Sequence, residues 1–220
     1  MKSATLLKKD LEAVADRFPK LKWQRNGKLK HSYLVGELDI CDAVGEYWGT
    51  FEIEILIPEN YPFGVPKVWE TSKIIPREAN RHISPSGECC LDMEHRLLQT
   101  ARKGICINKF IADKVYPYFA NQLYFKEKQR FAGGEYAHAF EGVRQFYAED
   151  LNLEKPTIIV QFLESILSNE LPGRNAMCPC GSKEKYKRCH MYSIDILKAV
   201  GKDKLTEDLR SFSKLAVEDK

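Results

Sequence analysis

Three cysteines and a histidine near the end of the 220-residue sequence are spaced as metal ligands. Cys178 and Cys180 are one residue apart, and the adjacent pair Cys189 and His190 follows after eight further residues. Three thiolates and one imidazole form a closed tetrahedral set of the kind that binds structural zinc. No coordination position is left for a substrate, so the spacing predicts a zinc ion that keeps a small segment folded.

The sequence around these ligands, MCPCGSKEKYKRCH, closely resembles the SEC-C motif, a zinc-binding C-terminal element first described in the bacterial translocation ATPase SecA. The match includes the Cys-Pro-Cys-Gly-Ser start, Tyr186 and the Cys-His pair. Basic residues surround the ligands: Lys183, Lys185, Lys187 and Arg188. We interpret them as compensation for the net negative charge of a three-thiolate zinc site. A contact surface for a protein or a nucleic acid is the alternative.

A second reactive group, Cys90, lies in the irregular segment HISPSGECCLD. A cysteine that accepts an acyl group must be accessible, and a cysteine has a meaningful thiolate fraction only where its surroundings favour the anion. His82, eight residues earlier, is a candidate donor to the oxyanion of the intermediate, or a base toward an incoming amine. The alternative role for His82 is structural, with the imidazole ordering the loop by a hydrogen bond to the backbone.

The segments NYPFGVPKV and HISPSGECCLD together resemble the hallmark region of ubiquitin-conjugating enzymes. The matching residues are Tyr61, Pro62, Phe63, Pro66, Val68, Gly87, Cys90, Leu91 and Asp92. The resemblance covers roughly the first 125 residues and implies that Cys90 forms a thioester. The family's His-Pro-Asn tripeptide falls on Asn80-Arg81-His82, so His82 takes the position of the asparagine that supports the oxyanion. The family's usual tryptophan after the cysteine is missing.

Two residues near Cys90 in the sequence, Cys89 and His95, are expected to take no part in the reaction. Successive side chains of an extended segment point in opposite directions, so only one of two adjacent sulfurs can face an acyl donor. Cys89 lies at an aliphatic position of the family and is predicted to be a small buried residue. A disulfide between Cys89 and Cys90 is the redox alternative, and it is disfavoured because it would close a strained ring. His95 is predicted to be an exposed loop residue.

The remaining sequence predicts the elements that position these groups. The apolar stripe of Leu7, Leu11, Val14 and Phe18 is typical of an amphipathic helix, which Pro19 ends. Strands around residues 31–41, 47–57 and 66–71 have short connections and predict an antiparallel meander. The segment 76–104 has no sustained period and is predicted to be a long functional loop.

Helical patterns return after residue 104. Ile107, Ile111, Val115 and Tyr118 share one face, and Pro117 is expected to kink or divide that helix. Further helices are predicted over residues 135–150, from Pro156 to about residue 170, and as one terminal helix after Ser193.

The predicted fold class is α+β: a ubiquitin-conjugating-enzyme-like antiparallel meander with N-terminal and C-terminal helices, plus a small C-terminal zinc knuckle and terminal helix. Residues 1–170 are expected to form a catalytic domain with a helical extension. Residues 171–220 are expected to form the zinc knuckle and the last helix.

Composition and charge narrow the classes of partner. The 34 basic and 31 acidic residues give a net charge of +3, which argues against nucleic acid or an anionic membrane as the main partner. There is no apolar run of about 20 residues and no secretory leader, so a cytoplasmic location is expected. The seven cysteines are distributed for metal binding and catalysis in a reducing compartment rather than for disulfides.

The resemblance implies a bacterial-type conjugating enzyme that transfers an acyl group from a cysteine thioester to an amine. The expected partner is a protein with a C-terminal glycine: a ubiquitin-like protein, or a nucleotidyltransferase that makes cyclic oligonucleotides. Relatives of this kind occur with such nucleotidyltransferases in antiphage (antiviral defence) operons. The sequence has no glycine-rich nucleotide loop, so a separate activating enzyme is expected. The alternative is a catalytically silent binding module of the same fold that holds a protein tail.

Overall fold

An antiparallel sheet in the order β1-β2-β3-β4 is formed by the first half of the chain. The computed structural model describes residues 2–25, 31–132 and 139–218. The strands are β1 (Leu21–Arg25), β2 (Ser32–Cys41), β3 (Tyr47–Ile57) and β4 (Lys67–Glu70). The mixed α+β class and the antiparallel meander are confirmed. The edge strand β1 was not predicted, because Leu21 alone among its residues is buried and the strand has no apolar alternation.

One face of the sheet carries the core of this part of the chain. Every second residue of β3 from Phe51 to Ile57 is buried, as the alternation predicts. The predicted N-terminal helix is present as α1 (Lys2–Arg17). Its Val14 is buried in the core, and the other residues of the predicted stripe pack against it as partly buried side chains.

The segment 76–104 is not irregular throughout, and that prediction is wrong for its last part. Helix α2 (Glu94–Lys103) occupies it. Because His95 and Ala101 are the buried residues of α2, no apolar stripe marks the helix in the sequence. The prediction of an exposed His95 is also wrong, since its side chain is fully buried. Earlier in the segment, a short 3₁₀ turn (Ala79–Arg81) leads into the loop that carries Cys90.

A continuous helical stretch follows: α3 (Ile107–Phe110), a π-helical turn (Ile111–Val115) and α4 (Tyr116–Lys128). The four residues predicted to share its inner face are all buried. The backbone changes from π to α geometry next to Pro117, which lies in the first turn of α4. Proline has no backbone N–H and cannot make the helical hydrogen bond at this position, in agreement with the predicted irregularity of the helix at Pro117.

The second half of the chain is helical. It contains α5 (Ala139–Glu149), α6 (Pro156–Ser168), a 3₁₀ turn (Tyr186–Arg188), α7 (Met191–Val200) and α8 (Lys202–Glu218). The start of the helix predicted over 135–150 lies outside the described residues. The single terminal helix predicted after Ser193 is instead two helices, because Gly201 adopts a φ of +105° and interrupts the helical backbone.

The backbone divides into two units, Met1–Glu135 and Tyr136–Lys220, whereas the sequence placed the division after residue 170. Helices α5 and α6 thus belong with the zinc segment. The Phe162 ring on α6 lies 5.5 Å from the His190 ring, and the Tyr147 hydroxyl on α5 donates to buried Asp208 on α8 at 2.8 Å. Periodicity gives a helix's buried face but not the element that covers it. None of the described helices combines the length and apolar character needed to cross a bilayer.

Candidate metal centre and candidate active site

Cys178, Cys180, Cys189 and His190 come together in the second unit, with their ligand atoms all within 4.8 Å of one another. The sulfurs of Cys180 and Cys189 are 3.5 Å apart. The Nδ1 atom of His190 lies 3.1 Å from Cys189 Sγ and 3.4 Å from Cys178 Sγ. Tetrahedral zinc, about 2.3 Å from sulfur and about 2.0 Å from nitrogen, separates its ligands by roughly 3.5–3.8 Å. The donor set therefore fits a metal site of the type that zinc commonly occupies.

A tight turn presents the first two sulfurs to this site. Met177 and Lys185 pair as an antiparallel bridge, and the N–H of Cys178 donates to the carbonyl of Glu184 at 2.8 Å. The chain reverses through Gly181, whose φ of +82° favours glycine. The second ligand pair follows the 3₁₀ turn, so two short local structures build the whole site.

A backbone carbonyl orients the histidine ligand. The Nε2 atom of His190 lies 3.0 Å from the carbonyl oxygen of Asn152. That contact assigns Nε2 as the protonated nitrogen and leaves the lone pair of Nδ1 directed at the sulfurs, as a metal ligand requires. The sequence did not point to Asn152, because its contribution is a carbonyl that any residue carries. Its φ of +55°, a conformation that asparagine tolerates, is the one local signal.

The two adjacent cysteines of the candidate active site face opposite ways, as predicted. Cys89 is 7% exposed and belongs to the core, whereas Cys90 is exposed. Their backbones bond to different neighbours: the N–H of Cys89 donates to Val68 and the N–H of Cys90 to His82, both at 2.8 Å. The alternation of an extended backbone therefore leaves one sulfur accessible.

Gly87 shapes the loop that carries Cys90. Its N–H donates to the carbonyl of Ser84, and its carbonyl accepts from the N–H of Glu70, each at 2.9 Å. It has a φ of +90°, and a Cβ placed there would lie 2.7 Å from the Glu70 carbonyl oxygen. Both the conformation and the close approach require glycine.

The backbone of His82 is hydrogen-bonded to that of Cys90. Its carbonyl accepts the N–H of Cys90 at 2.8 Å and the hydroxyl of Tyr118 at 3.2 Å. Its ring packs edge-on against Phe131, with the centroids 5.5 Å apart. These contacts give His82 an ordering role in the loop. A direct role of the imidazole in catalysis stays a prediction.

The electrostatics of Cys90 oppose ionisation. Desolvation and the negative charges of Asp92, Glu94 and Glu88 raise the pKa of the Cys90 thiol above its ordinary value. In the chain by itself, the surroundings of Cys90 therefore favour the neutral thiol. Desolvation raises the pKa of the Cys89 thiol to about 12, so Cys89 is protonated at neutral pH.

Lys114, in the π-helical turn, lies close to this acidic group and was not singled out by the sequence. Its ammonium donates to Asp92 at 2.6 Å. Asp92 also accepts the N–H of Met93 at 2.7 Å, just before the start of α2. A lone lysine in a helical pattern gives no sign that the fold places it against a particular carboxylate.

Tyr61 of the hallmark segment has a structural position. Its buried hydroxyl donates to Asp10 of α1 and accepts the N–H of Ile107 at the start of α3. Desolvation and the bond to Asp10 raise the pKa of the phenol above its ordinary value. One motif residue thus connects α1 to the helical stretch that follows the active-site loop.

A comparison with protein-family models identifies one segment of the chain. Residues 174–191 match the SEC-C motif. This match contains all four candidate ligands, and the predicted motif is confirmed. No curated protein matches the chain. The similarity of residues 61–92 to ubiquitin-conjugating enzymes rests on the motif residues and stays a prediction.

Proposed function

We propose that this protein is a bacterial-type conjugating enzyme that carries an acyl group on Cys90 as a thioester and passes it to an amine. One observation carries the proposal: in the hallmark segment, Cys90 is exposed while Cys89 belongs to the core. A cysteine that serves two proteins in turn, the donor and the acceptor, must be reachable from solvent. Cys90 meets that requirement.

The proposed reaction consists of two substitutions at one carbonyl carbon. The Cys90 sulfur attacks the activated C-terminal glycine of the donor, the new S–C bond forms, and the bond to the activating group breaks. The leaving group takes the proton that Cys90 loses. The acceptor amine then attacks the thioester, a C–N bond forms, and the departing sulfur regains a proton from the amine. We assign His82 one of two roles in these steps: it donates a hydrogen bond to the oxyanion, or it accepts the proton of the incoming amine.

The raised pKa of Cys90 is compatible with a carrier role. A thiolate of high basicity is a poor leaving group, so a thioester on Cys90 would be lost slowly to water. The same raised pKa favours the second candidate function, a binding module of the same fold, because few molecules of the free protein have a Cys90 thiolate at neutral pH.

The proposed donor is a protein with a C-terminal glycine, either a ubiquitin-like protein or a nucleotidyltransferase that makes cyclic oligonucleotides. A separate enzyme would activate the donor in the cytoplasm, and the genes of these proteins would belong to an antiphage operon. The resemblance of the hallmark segment supports these partners. We propose that the SEC-C segment holds a structural zinc ion, since its donors form a closed set.

A synthetic peptide with a C-terminal glycine thioester tests both substitutions. The chain should become acylated at Cys90 in a bond that hydroxylamine cleaves, and Cys90→Ala should abolish this product. Cys106 is also exposed but lies outside the motif, so Cys106→Ala is the matched control and should leave the acylation unchanged. Added free lysine should discharge the Cys90 adduct faster than water does, and His82→Ala should slow that discharge.

Two results would favour the binding module. One is equal acylation of Cys90 and Cys106 by the peptide thioester, which would show no activation of the motif cysteine. The other is discharge of the Cys90 adduct at the rate of hydrolysis at every lysine concentration. A His82→Ala chain that discharges at the wild-type rate would remove His82 from the mechanism.

A further inference from the structure

A cavity of about 410 Å³ lies in the first unit, next to the 3₁₀ turn that leads to Cys90. Its walls come from β3, the loop after β4, the 3₁₀ turn and the C-terminal half of α4. The volume is within the range of small-molecule sites, about 300–1,000 Å³. Its lining includes four exposed polar residues, Glu78, Asn80, Lys126 and Gln129, so the cavity opens to solvent.

Arg81 lines this cavity and is 8% exposed. Its Nε and Nη2 atoms donate to the side chain and the carbonyl of Gln122, at 2.9 and 3.1 Å. The Gln122 amide donates back to the Arg81 carbonyl at 2.9 Å. The guanidinium lies over the ring of Phe125, 4.1 Å from its centroid. Two neighbours therefore hold the guanidinium in one orientation.

The charge of Arg81 has no carboxylate partner among the residues that the structure describes. Gln122 accepts from two of the five guanidinium N–H groups, and both acceptors are neutral. Burial lowers the pKa of Arg81, and nearby Glu78 opposes this without forming an ion pair. Buried cations in proteins are normally paired. This one borders an open cavity instead, whose lining also carries one further positive charge, Lys126, and one negative charge, Glu78.

The rest of the wall is largely apolar. Phe51, Ile75 and Leu123 form it beside the guanidinium. We propose that this cavity binds a small organic anion, whose apolar body packs on Phe51 and Leu123 while its carboxylate or phosphate group accepts hydrogen bonds from Arg81. A planar guanidinium held by Gln122 and Phe125 suits either group by paired hydrogen bonds.

The site is separate from the proposed chemistry of Cys90 but shares a turn with it. Tyr118 and Gln122 donate to the carbonyl of Arg81, and the next carbonyl, of His82, accepts from Cys90. Binding of the anion needs no donor protein and no thiol. A Cys90→Ala chain should therefore bind the anion as wild type does, so failure of this proposal is distinguishable from failure of the proposed function.

Fluorine NMR with three matched probes tests the proposal. The probes are 4-(trifluoromethyl)benzoate, 4-(trifluoromethyl)phenyl phosphate and the neutral 4-(trifluoromethyl)benzamide. At least one anion should bind about tenfold or more tightly than the amide, and the preferred one identifies the ligand as a carboxylate or a phosphate. Arg81→Met should remove this preference and leave the weak binding of the amide.

A second variant protects the test if Arg81→Met does not fold. Ile74 lines the cavity and is 53% exposed, so Ile74→Trp should fill the mouth without disturbing the core and should weaken anion binding about tenfold. Unchanged anion binding in Ile74→Trp would overturn the proposal. Equal affinity for anions and amide in the wild-type chain would overturn it as well.

Discussion

Replacing Gly87 with alanine tests whether the loop around the two cysteines is built as described. Gly87 has a φ of +90°, and a Cβ would lie 2.7 Å from the backbone oxygen of Glu70. Gly45 has the same φ of +90°, but a Cβ there meets nothing within 4 Å. Gly45→Ala therefore introduces the backbone strain alone, and Gly87→Ala introduces the strain together with a collision.

The expected magnitudes follow from these two environments. A non-glycine residue in this left-handed conformation costs about 1–2 kcal/mol, which sets the loss for Gly45→Ala. The Glu70 carbonyl oxygen that a Cβ at position 87 would meet cannot move freely, because it accepts a hydrogen bond from the Arg77 guanidinium at 2.8 Å. Breaking the Gly87–Glu70 pairing adds the loss of a buried hydrogen bond, about 1–3 kcal/mol. Together these two losses come to about 2–5 kcal/mol for Gly87→Ala.

Thermal unfolding and thiol labelling give the readouts. At roughly 3 °C per kcal/mol for a domain of this size, Gly87→Ala should lower the Tm by about 6–15 °C, and Gly45→Ala by about 3–6 °C. Cys89, protected from iodoacetamide in the wild type because it is buried, should become reactive in Gly87→Ala alone. Equal Tm losses in the two variants, with Cys89 protected in both, would refute this account of the loop.

Two further predictions concern the thiols. The purified chain should contain about one zinc ion. Cys178→Ser should lose the zinc and make residues 139–218 more susceptible to proteolysis while the first unit stays folded. A folded chain that was isolated without chelators and contains no metal would contradict this prediction. The alkylation rate of Cys90 should rise with pH without a plateau below about pH 9, because its raised pKa keeps the thiol protonated at neutral pH; a plateau below pH 8 would show a stabilised thiolate.

The sequence predicted the elements with a clear period and missed those without one. Helix α1 and strand β3 were predictable because their apolar residues repeat at 3.6 and at 2 residues. Strand β1 and helix α2 were not, since each buries one or two residues. The position of Gly201 between α7 and α8 was also overlooked, although a glycine inside a helical pattern is a recognised stop signal.

The site residues divide in the same manner. The zinc ligands were predictable because side-chain type and spacing both carry the signal. The partner of His190 was not, because Asn152 contributes a backbone carbonyl from 38 residues away. The acidic environment of Cys90 was visible as Glu88, Asp92 and Glu94 in the sequence, but its effect on the pKa depends on distances that only the fold supplies. The Arg81 cavity likewise requires α4 to pack against the turn.

The central claim is that Cys90 carries an acyl group ending in glycine, and trapping that group tests it most directly. Cys90→Ser is the variant of choice, because an oxyester survives thiol reductants. It should be produced in the cells from which the gene comes and isolated under denaturing conditions. Peptide mass spectrometry should then find a glycine carboxyl linked to the hydroxyl introduced at position 90, with the sequence of the donor attached. Cys90→Ala should lack it, and Cys89→Ala should keep the wild-type thioester. A chain with no acyl group at position 90, or with the same group on Cys106, would contradict the proposal.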